Sequence, residues 1–324
     1  MEVNRLNKHI ILSFLAGAVV PLVLAAVFQK NPPAPEAESE SISLAQAIRE
    51  SDPETVLTVV NRAGNLQQMD LREYLVGVVL AEMPADFEPE ALKAQAVVAR
   101  TYTRKRMAGG KHSGAAVCMD SGCCQGWRSE ADYLDAGGKR ASVEKVRAAV
   151  ADTDGLVLRY DGALIDATYF SCSGGVTEDA VAVWGQDVPY LQSVLSPGEE
   201  EAPRFSDSAT FSPADFAGKL GLSAAGDPEN WFGAVTYTDG GGVDTMVIRG
   251  KTFSGPQLRS KLGLRSTAFE ITVSGNAITV HTRGFGHRVG MSQYGAQAMA
   301  KTGSSFADIL AHYYTGAVLC REES

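Results

Sequence analysis

An apolar run at helical spacing stops abruptly at residues 82–84, and that break constrains the fold more than any other feature. In VVLAEMPADFEPEALKAQAVVARTY, residues 78–102, an apolar helix ends on Glu82 and is cut by Met83-Pro84. Proline lacks an amide hydrogen and crowds the preceding residue out of helical conformation, so the chain must turn there. Leu71, Leu75, Val78 and Val79 recur at helical spacing. Asp70 followed by Glu73 matches a capping box at the helix start. Asp86 is placed to cap a second helix, with Glu88-Pro89-Glu90 as its first turn and an end near Arg106. Ala94, Ala96, Val97 and Ala99 give that helix small residues, which allow close packing.

Glu82 lies four residues after Val78 and seven after Leu75, on the apolar face. It is also in the last turn, at the negative end of the helix dipole. Burial and dipole both disfavour a carboxylate, so both push its pKa upward. A carboxyl held protonated near neutral pH can act as a general acid. The plain alternative is a helix-end glutamate that reaches solvent. Lys93 and Arg100 are seven apart on the next helix and share a face. They could hold Glu82, an anion or a sugar, or form an ordinary solvated basic face.

The chain begins with an uncharged run, residues 10–28, long enough to span a bilayer. Arg5 and Lys8 precede it, and a proline- and glutamate-rich stretch follows, which orients the N-terminus to the cytoplasm. An uncleaved anchor is the favoured reading over a cleaved signal peptide or a buried helix. The expected organisation is residues 1–30 as cytoplasmic tip and membrane anchor, 31–54 as a solvated linker, and 55–324 as the catalytic domain. A net charge of −9 and the lack of a basic stripe argue against nucleic-acid binding.

Residues 55–60 read as a strand and 142–152 as a helix. GLVLRYDGALIDATYF reads as a hairpin turning at Asp161-Gly162. Residues 195–235 read only loosely, as helices and loops. Residues 244–249 form a strand, Ser254-Gly255-Pro256 opens a helix to about Leu262, and FEITVSGNAITVHTRG is a second hairpin turning at Gly275-Asn276. Helices at 291–301 and 306–314 close the chain. Strand pairs and helices in separate runs predict an α+β fold with largely antiparallel sheet hairpins and packed helices forming a substrate groove.

Five cysteines cannot all pair within one chain. His112, Cys118 and Cys124 are spaced by six and six, with Cys123 as a further option. Imidazole and thiolates suit zinc. A disulfide from Cys118 to Cys123 or Cys124, or free thiols, are the alternatives. Three ligands would leave an open position, but no His-Glu-x-x-His pattern is present. In RGFGHRVGMSQYGAQAMA, residues 283–300, glycines surround His287 ahead of a helix near Ser292. The histidine and serine could be a hydrolase pair, or the loop could line a sugar groove. Tyr169, Ser171, Cys172 and Ser173 lead into Gly174-Gly175 in the same style; a simple turn is the alternative.

Taken in order, "EYLVGVVLAEMPADFEPEALKAQAVVARTY", "ATYFSCSGG", "VWG…PYL", "SGPQLRSKLGL", "GHRVGMSQYGAQAMA" and "ILAHYYTG" resemble the stage II sporulation protein D (SpoIID) family over about residues 55–316. The resemblance implies a lytic transglycosylase that cuts peptidoglycan glycan strands, stripped of stem peptides, between MurNAc and GlcNAc and leaves 1,6-anhydroMurNAc ends. It implies Glu82 as the acid and Lys93 and Arg100 as the matching cations; with the loop residues Tyr169, Ser171, Ser173, His287, Ser292, Gln293 and Tyr294, these two are the expected substrate contacts. It also implies a structural zinc on His112, Cys118 and Cys124, and no organic cofactor. The implied setting is a single-pass membrane protein at the forespore–mother cell septum, with its catalytic domain outside the cytoplasm. A SpoIIP-type amidase and a SpoIIM-type membrane protein are the implied partners in engulfment. Two other readings remain: a non-enzymatic amidase enhancer, and a zinc hydrolase with its metal beside Glu82. Three departures from the family pattern are Arg288 where glycine is usual, Cys172 where threonine or serine is common, and Cys320, which has no counterpart. Arg288 is expected to narrow the groove or add a sugar contact.

Overall fold

The computed structural model describes residues 55–322. The expected membrane run and linker lie outside the described residues. Among those described, no helix is long and apolar enough to cross a membrane.

The first hairpin pairs β1 (Val56–Val60) with β2 (Leu66–Asp70), a strand whose polar, exposed residues hide it from pattern reading. Asp70 then caps α1 (Leu71–Glu82), its side chain accepting from the amides of Arg72 and Glu73. The reciprocal half of the expected box does not form, because the Glu73 carboxylate pairs with Arg147 at 2.5 and 3.1 Å. Met83 is extended (φ −124°, ψ 138°), the conformation that Pro84 imposes on its predecessor.

The second helix, α2 (Pro89–Ala108), starts with proline at its first position and Glu88, not Asp86, as its cap residue. The Glu88 amide donates to Gln297 Oε1 at 2.7 Å, so a distant helix does the work expected of Asp86. Leu92, Ala94, Ala96, Val97 and Ala99 are fully buried, and α2 forms the spine of the larger core. Its small side chains let it pack against α1 and several later elements at once.

After β3 (Val117–Cys118), parallel to β1, come α3 (Glu130–Asp135) and α4 (Arg140–Asp152). Next, β4 (Leu156–Tyr160) and β5 (Ala163–Leu164) form the predicted hairpin. Asp161 and Gly162 both have positive φ (48° and 77°), as a tight two-residue hairpin turn requires. The hairpin is shorter than the sequence suggests. Residues beyond Ile165 leave it, and β6 (Tyr169–Phe170) has a different partner near the C-terminus. The short α5 (Ala180–Trp184) follows.

Residues 206–283 form a second core. They contain β7 (Ser206–Phe211), α6 (Pro213–Leu220), β8 (Phe232–Tyr237), β9 (Val243–Ile248), β10 (Lys251–Ser254), α7 (Gly255–Leu262), β11 (Ala268–Ser274) and β12 (Ala277–Arg283). Two three-stranded antiparallel sheets, in orders β11-β12-β7 and β10-β9-β8, enclose Phe216, Ile248, Leu258, Ile278 and Val280 with the two helices. The expectation of helices and loops over 195–235 is corrected here: β7 and β8 are strands within it.

The chain then returns to the larger core through β13 (Met291–Ser292), which pairs in parallel with β6. Met291 and Ser292 are therefore strand, and α8 (Gln293–Lys301) begins two residues later than periodicity suggests, capped by Ser292. Then α9 (Phe306–Tyr313) and β14 (Val318–Arg321), antiparallel to β4, complete an α+β fold of mostly antiparallel sheet. Arg288 locks the two cores together. It has positive φ (67°), where glycine is unstrained, and is 2% exposed. Its guanidinium bonds Glu178 Oε1 at 2.9 Å and the carbonyls of Ser173, Val176 and Gly240. It lies outside the groove lining, so the expected sugar contact is not where the structure puts it.

Candidate active site: the groove around Glu82

An open groove of about 1240 Å³ gathers Glu82, Tyr169, Ser171, His287 and Gln293 with His112, Cys118, Cys123 and Cys124. Five other expected residues serve the scaffold. Lys93 pairs with Glu90 at 3.0 Å and Asp152 at 3.3 Å. Arg100 is fully buried and donates to the carbonyls of Val150 (3.1 Å) and Leu156 (3.3 Å), tying the end of α4 to β4. Carbonyls at a helix C-terminus attract a cation, so Arg100 is consumed there and cannot reach Glu82 or a sugar. Ser173 is buried and donates to Glu199 Oε2 at 2.9 Å. Ser292 caps α8, and Tyr294 packs edge-on to Phe87 at 5.1 Å.

Glu82 is half-buried at the end of α1. Desolvation raises its pKa above the ordinary carboxylate value, as its place on the apolar face predicts. Two hydrogen bonds pull the other way, from the Gly126 amide to Oε1 at 2.5 Å and from the Tyr169 side chain. The group is thus biased toward its acid form, yet its conjugate base has two donors waiting. The Tyr169 hydroxyl also reaches Gln125 Oε1 at 3.3 Å, and Gln125 Nε2 donates to Thr103 Oγ1 at 3.0 Å. Tyr169 is held in turn by the β6–β13 pairing.

His287 does not pair with Ser292. Its Nδ1 accepts from the Val289 amide at 3.1 Å, and it also bonds the Tyr169 backbone. Burial, with Arg259 nearby, lowers its pKa to about 4, so the ring is neutral at pH 7. With its ring held this way it positions Tyr169, and the hydrolase-pair expectation is withdrawn.

The metal expectation gains a ligand. The donor atoms of His112, Cys118, Cys123 and Cys124 all lie within 4.8 Å of one another, and all five cysteines are free thiols. His112 Nε2 is 3.3 Å from Cys124 Sγ and 3.7 Å from Cys123 Sγ. A tetrahedron with Zn–N near 2.0 Å and Zn–S near 2.3 Å has N–S edges of about 3.5 Å and S–S edges of about 3.8 Å. The donor set fits a four-coordinate metal, with Cys123 as the donor the six-and-six spacing leaves out.

Several groove residues escaped the sequence reading: Asp120, Gln125, Gly126 and Trp127. Gly126 carried a signal. A Cβ there would stand 2.8 Å from Glu82 Oε1, so glycine is what lets this amide approach the acid. Gly77 has the same logic, since a Cβ would meet Trp127 Nε1 at 2.1 Å. Asp120 is a second carboxylate in the groove, its Oδ1 accepting from the Gly122 amide at 2.9 Å.

A family model described as Stage II sporulation protein (SpoIID) matches residues 60–160. The chain is 41% identical over 323 residues to Stage II sporulation protein D of Bacillus subtilis (strain 168), covering 95% of this chain and 94% of that protein. It is 39% identical over 321 residues to Stage II sporulation protein D of Bacillus amyloliquefaciens, covering 94% and 93%. An amidase enhancer of Bacillus subtilis (strain 168) is 29% identical over 304 residues, 76% of this chain and 40% of that protein. Similarity of this extent, on a chain whose expected acid lies in a groove with Tyr169, His287 and Gln293, places it: the chain belongs to the stage II sporulation protein D family.

Proposed function

We propose that this sporulation protein is a lytic transglycosylase of peptidoglycan, with Glu82 as its acid and then its base. The observation that carries the reading is the environment of Glu82: burial favours the protonated carboxyl, while Gly126 and Tyr169 stand ready for the carboxylate. Protonated Glu82 gives its proton to the glycosidic oxygen as the bond from C1 of MurNAc breaks. The carboxylate then takes the proton from the same sugar's 6-hydroxyl as that oxygen bonds to C1. One group acts twice and ends as it began, and the product is a 1,6-anhydro sugar. Ordinary glycosidases need two carboxylates across the bond; this route needs one. Ser171, His287 and Gln293 line the remainder of the groove as glycan contacts.

Zinc on His112, Cys118, Cys123 and Cys124 would act as a structural cross-link. The cluster lines the same groove as Glu82, as a zinc hydrolase would require, but four protein donors fill a tetrahedron and favour a structural role. The protein is proposed to sit in the cell membrane through residues 10–28, with this domain outside the cytoplasm at the sporulation septum. There it would follow a SpoIIP-type amidase that bares the strands, alongside a SpoIIM-type membrane protein.

Mass spectrometry of products from stripped glycan strands tests the reading. Anhydro ends from wild type and none from Glu82→Gln are expected. Reducing ends would mean hydrolysis, and Asp120→Asn would then show whether Asp120 is the second carboxylate. The similarity to an amidase enhancer supports a second reading, favoured if the protein binds glycan, cuts none, and accelerates an added amidase.

A further inference from the structure

The chain is acidic, at −9, yet its groove collects arginines. Arg62, Arg128 and Arg204 line it, arriving from three separate segments. Among the described residues none of the three has a carboxylate within ion-pair distance, whereas Arg147, Arg265 and Arg288 are held by Glu73, Asp207 and Glu178. The described groove lining has two acids to offset them. Glu82 is biased to its neutral form, which leaves Asp120 as one carboxylate against three guanidinium groups. A groove with surplus positive charge in an acidic chain attracts anions.

Arg204 is the one of the three that rests on an aromatic ring. Its guanidinium carbon lies 5.1 Å over the ring of Phe285. Arg265 touches the same ring at 5.7 Å but is tied to Asp207 Oδ2 at 2.8 Å. Phe285 is itself fixed by exchanging backbone hydrogen bonds with Cys172 at 3.2 and 2.7 Å. A guanidinium resting on an aromatic ring keeps its N–H edge free, and that edge matches the two oxygens of a carboxylate.

We propose that Arg204 binds a carboxylate of the substrate, and that Arg62 and Arg128 supply the field that draws an anionic glycan into the groove. This rests on the glycan reading above. The sugar-borne anion of a wall strand is the lactyl carboxylate of muramic acid, which is free only where no peptide is amide-linked to it. Arg204 then distinguishes bare strands from peptide-bearing ones.

The test measures binding to full-length Glu82→Gln protein, which holds ligand without cutting it. Two tetrasaccharides are compared: one alternating N-acetylglucosamine with peptide-free N-acetylmuramic acid, and neutral chitotetraose. Charged hydrogen bonds contribute about 1.5–3 kcal/mol, so the muramyl ligand should bind at least about tenfold tighter, less so in high salt. Adding Arg204→Gln should remove that advantage and leave chitotetraose affinity within about twofold, which also shows the protein is folded. Discrimination that survives Arg204→Gln, or is absent without it, overturns the proposal and spares the glycan reading. Loss of both ligands in Arg204→Gln makes the arginine a scaffold residue and overturns it too. Failure of both ligands to bind before Arg204 is changed sinks the glycan reading together with the proposal.

Discussion

Glu82 is held in an environment that favours function over stability. Its pKa is raised in the folded protein, so the folded state binds its proton more tightly than the unfolded chain does. The stability this lends is present at low pH and is lost as pH rises through the folded value. Glu82→Gln carries no such penalty. Its melting temperature is expected to exceed that of wild type at pH 8, with the gap closing toward pH 4; a constant gap, or none, would contradict the burial argument. Tyr169 tests the other half of the balance. It stabilises the carboxylate, so Tyr169→Phe should move the alkaline limb of the kcat–pH profile to higher pH while lowering kcat. An unmoved limb would show that Tyr169 has no hold on the acid. Glu82 was legible in the sequence because position on an apolar face is periodic information. The Tyr169 contact was legible only as a polar residue near glycines, since what places it is a strand pairing with residues far along the chain.

Elements with local signals were read well: α1 broken by proline, the turn at Asp161-Gly162, the capped α7, the hairpin at Gly275-Asn276. Misreadings came where tertiary partners override local pattern. Asp86 yields its capping role to Gln297, Met291 is taken from a helix by β6, and Arg100 faces the end of α4 instead of the groove. Polar alternation on exposed strands β2 and β7 left no apolar pattern to read. Arg288 is the clearest case, since no local rule places an arginine at φ 67° in a buried junction. Arg288→Gly relieves that backbone but leaves Glu178 buried without its cation, and breaking such a pair costs about 3–5 kcal/mol. Urea unfolding should show a loss of that order, partly recovered by adding Glu178→Gln. A loss below about 1 kcal/mol would mean that the junction contributes little.

At the scale of the whole molecule, two cores are joined at the Arg288 junction, and the loop that carries His112, Cys118, Cys123 and Cys124 forms part of the groove wall beside Glu82. Gly126, which donates to Glu82, stands two residues after Cys124. Protein purified without chelators is expected to hold one zinc per chain. Stripping it should lower the melting temperature and weaken catalysis together, and Cys123→Ser should weaken zinc retention as Cys118→Ser does. Protein without stoichiometric zinc would remove the metal from the account. The β6–β13 pairing also has a consequence for how the protein comes into being. A chain made from its N-terminus presents Glu82 early. The strand that seats Tyr169, together with His287 and Gln293, arrives only with the last part of the domain. An unfinished copy therefore carries an acid with no tyrosine set beside it and a groove without Phe285, Gly286, His287 and Gln293. On the proposed reading such a copy cannot yet cut a strand, and competence comes in one step at the end of synthesis.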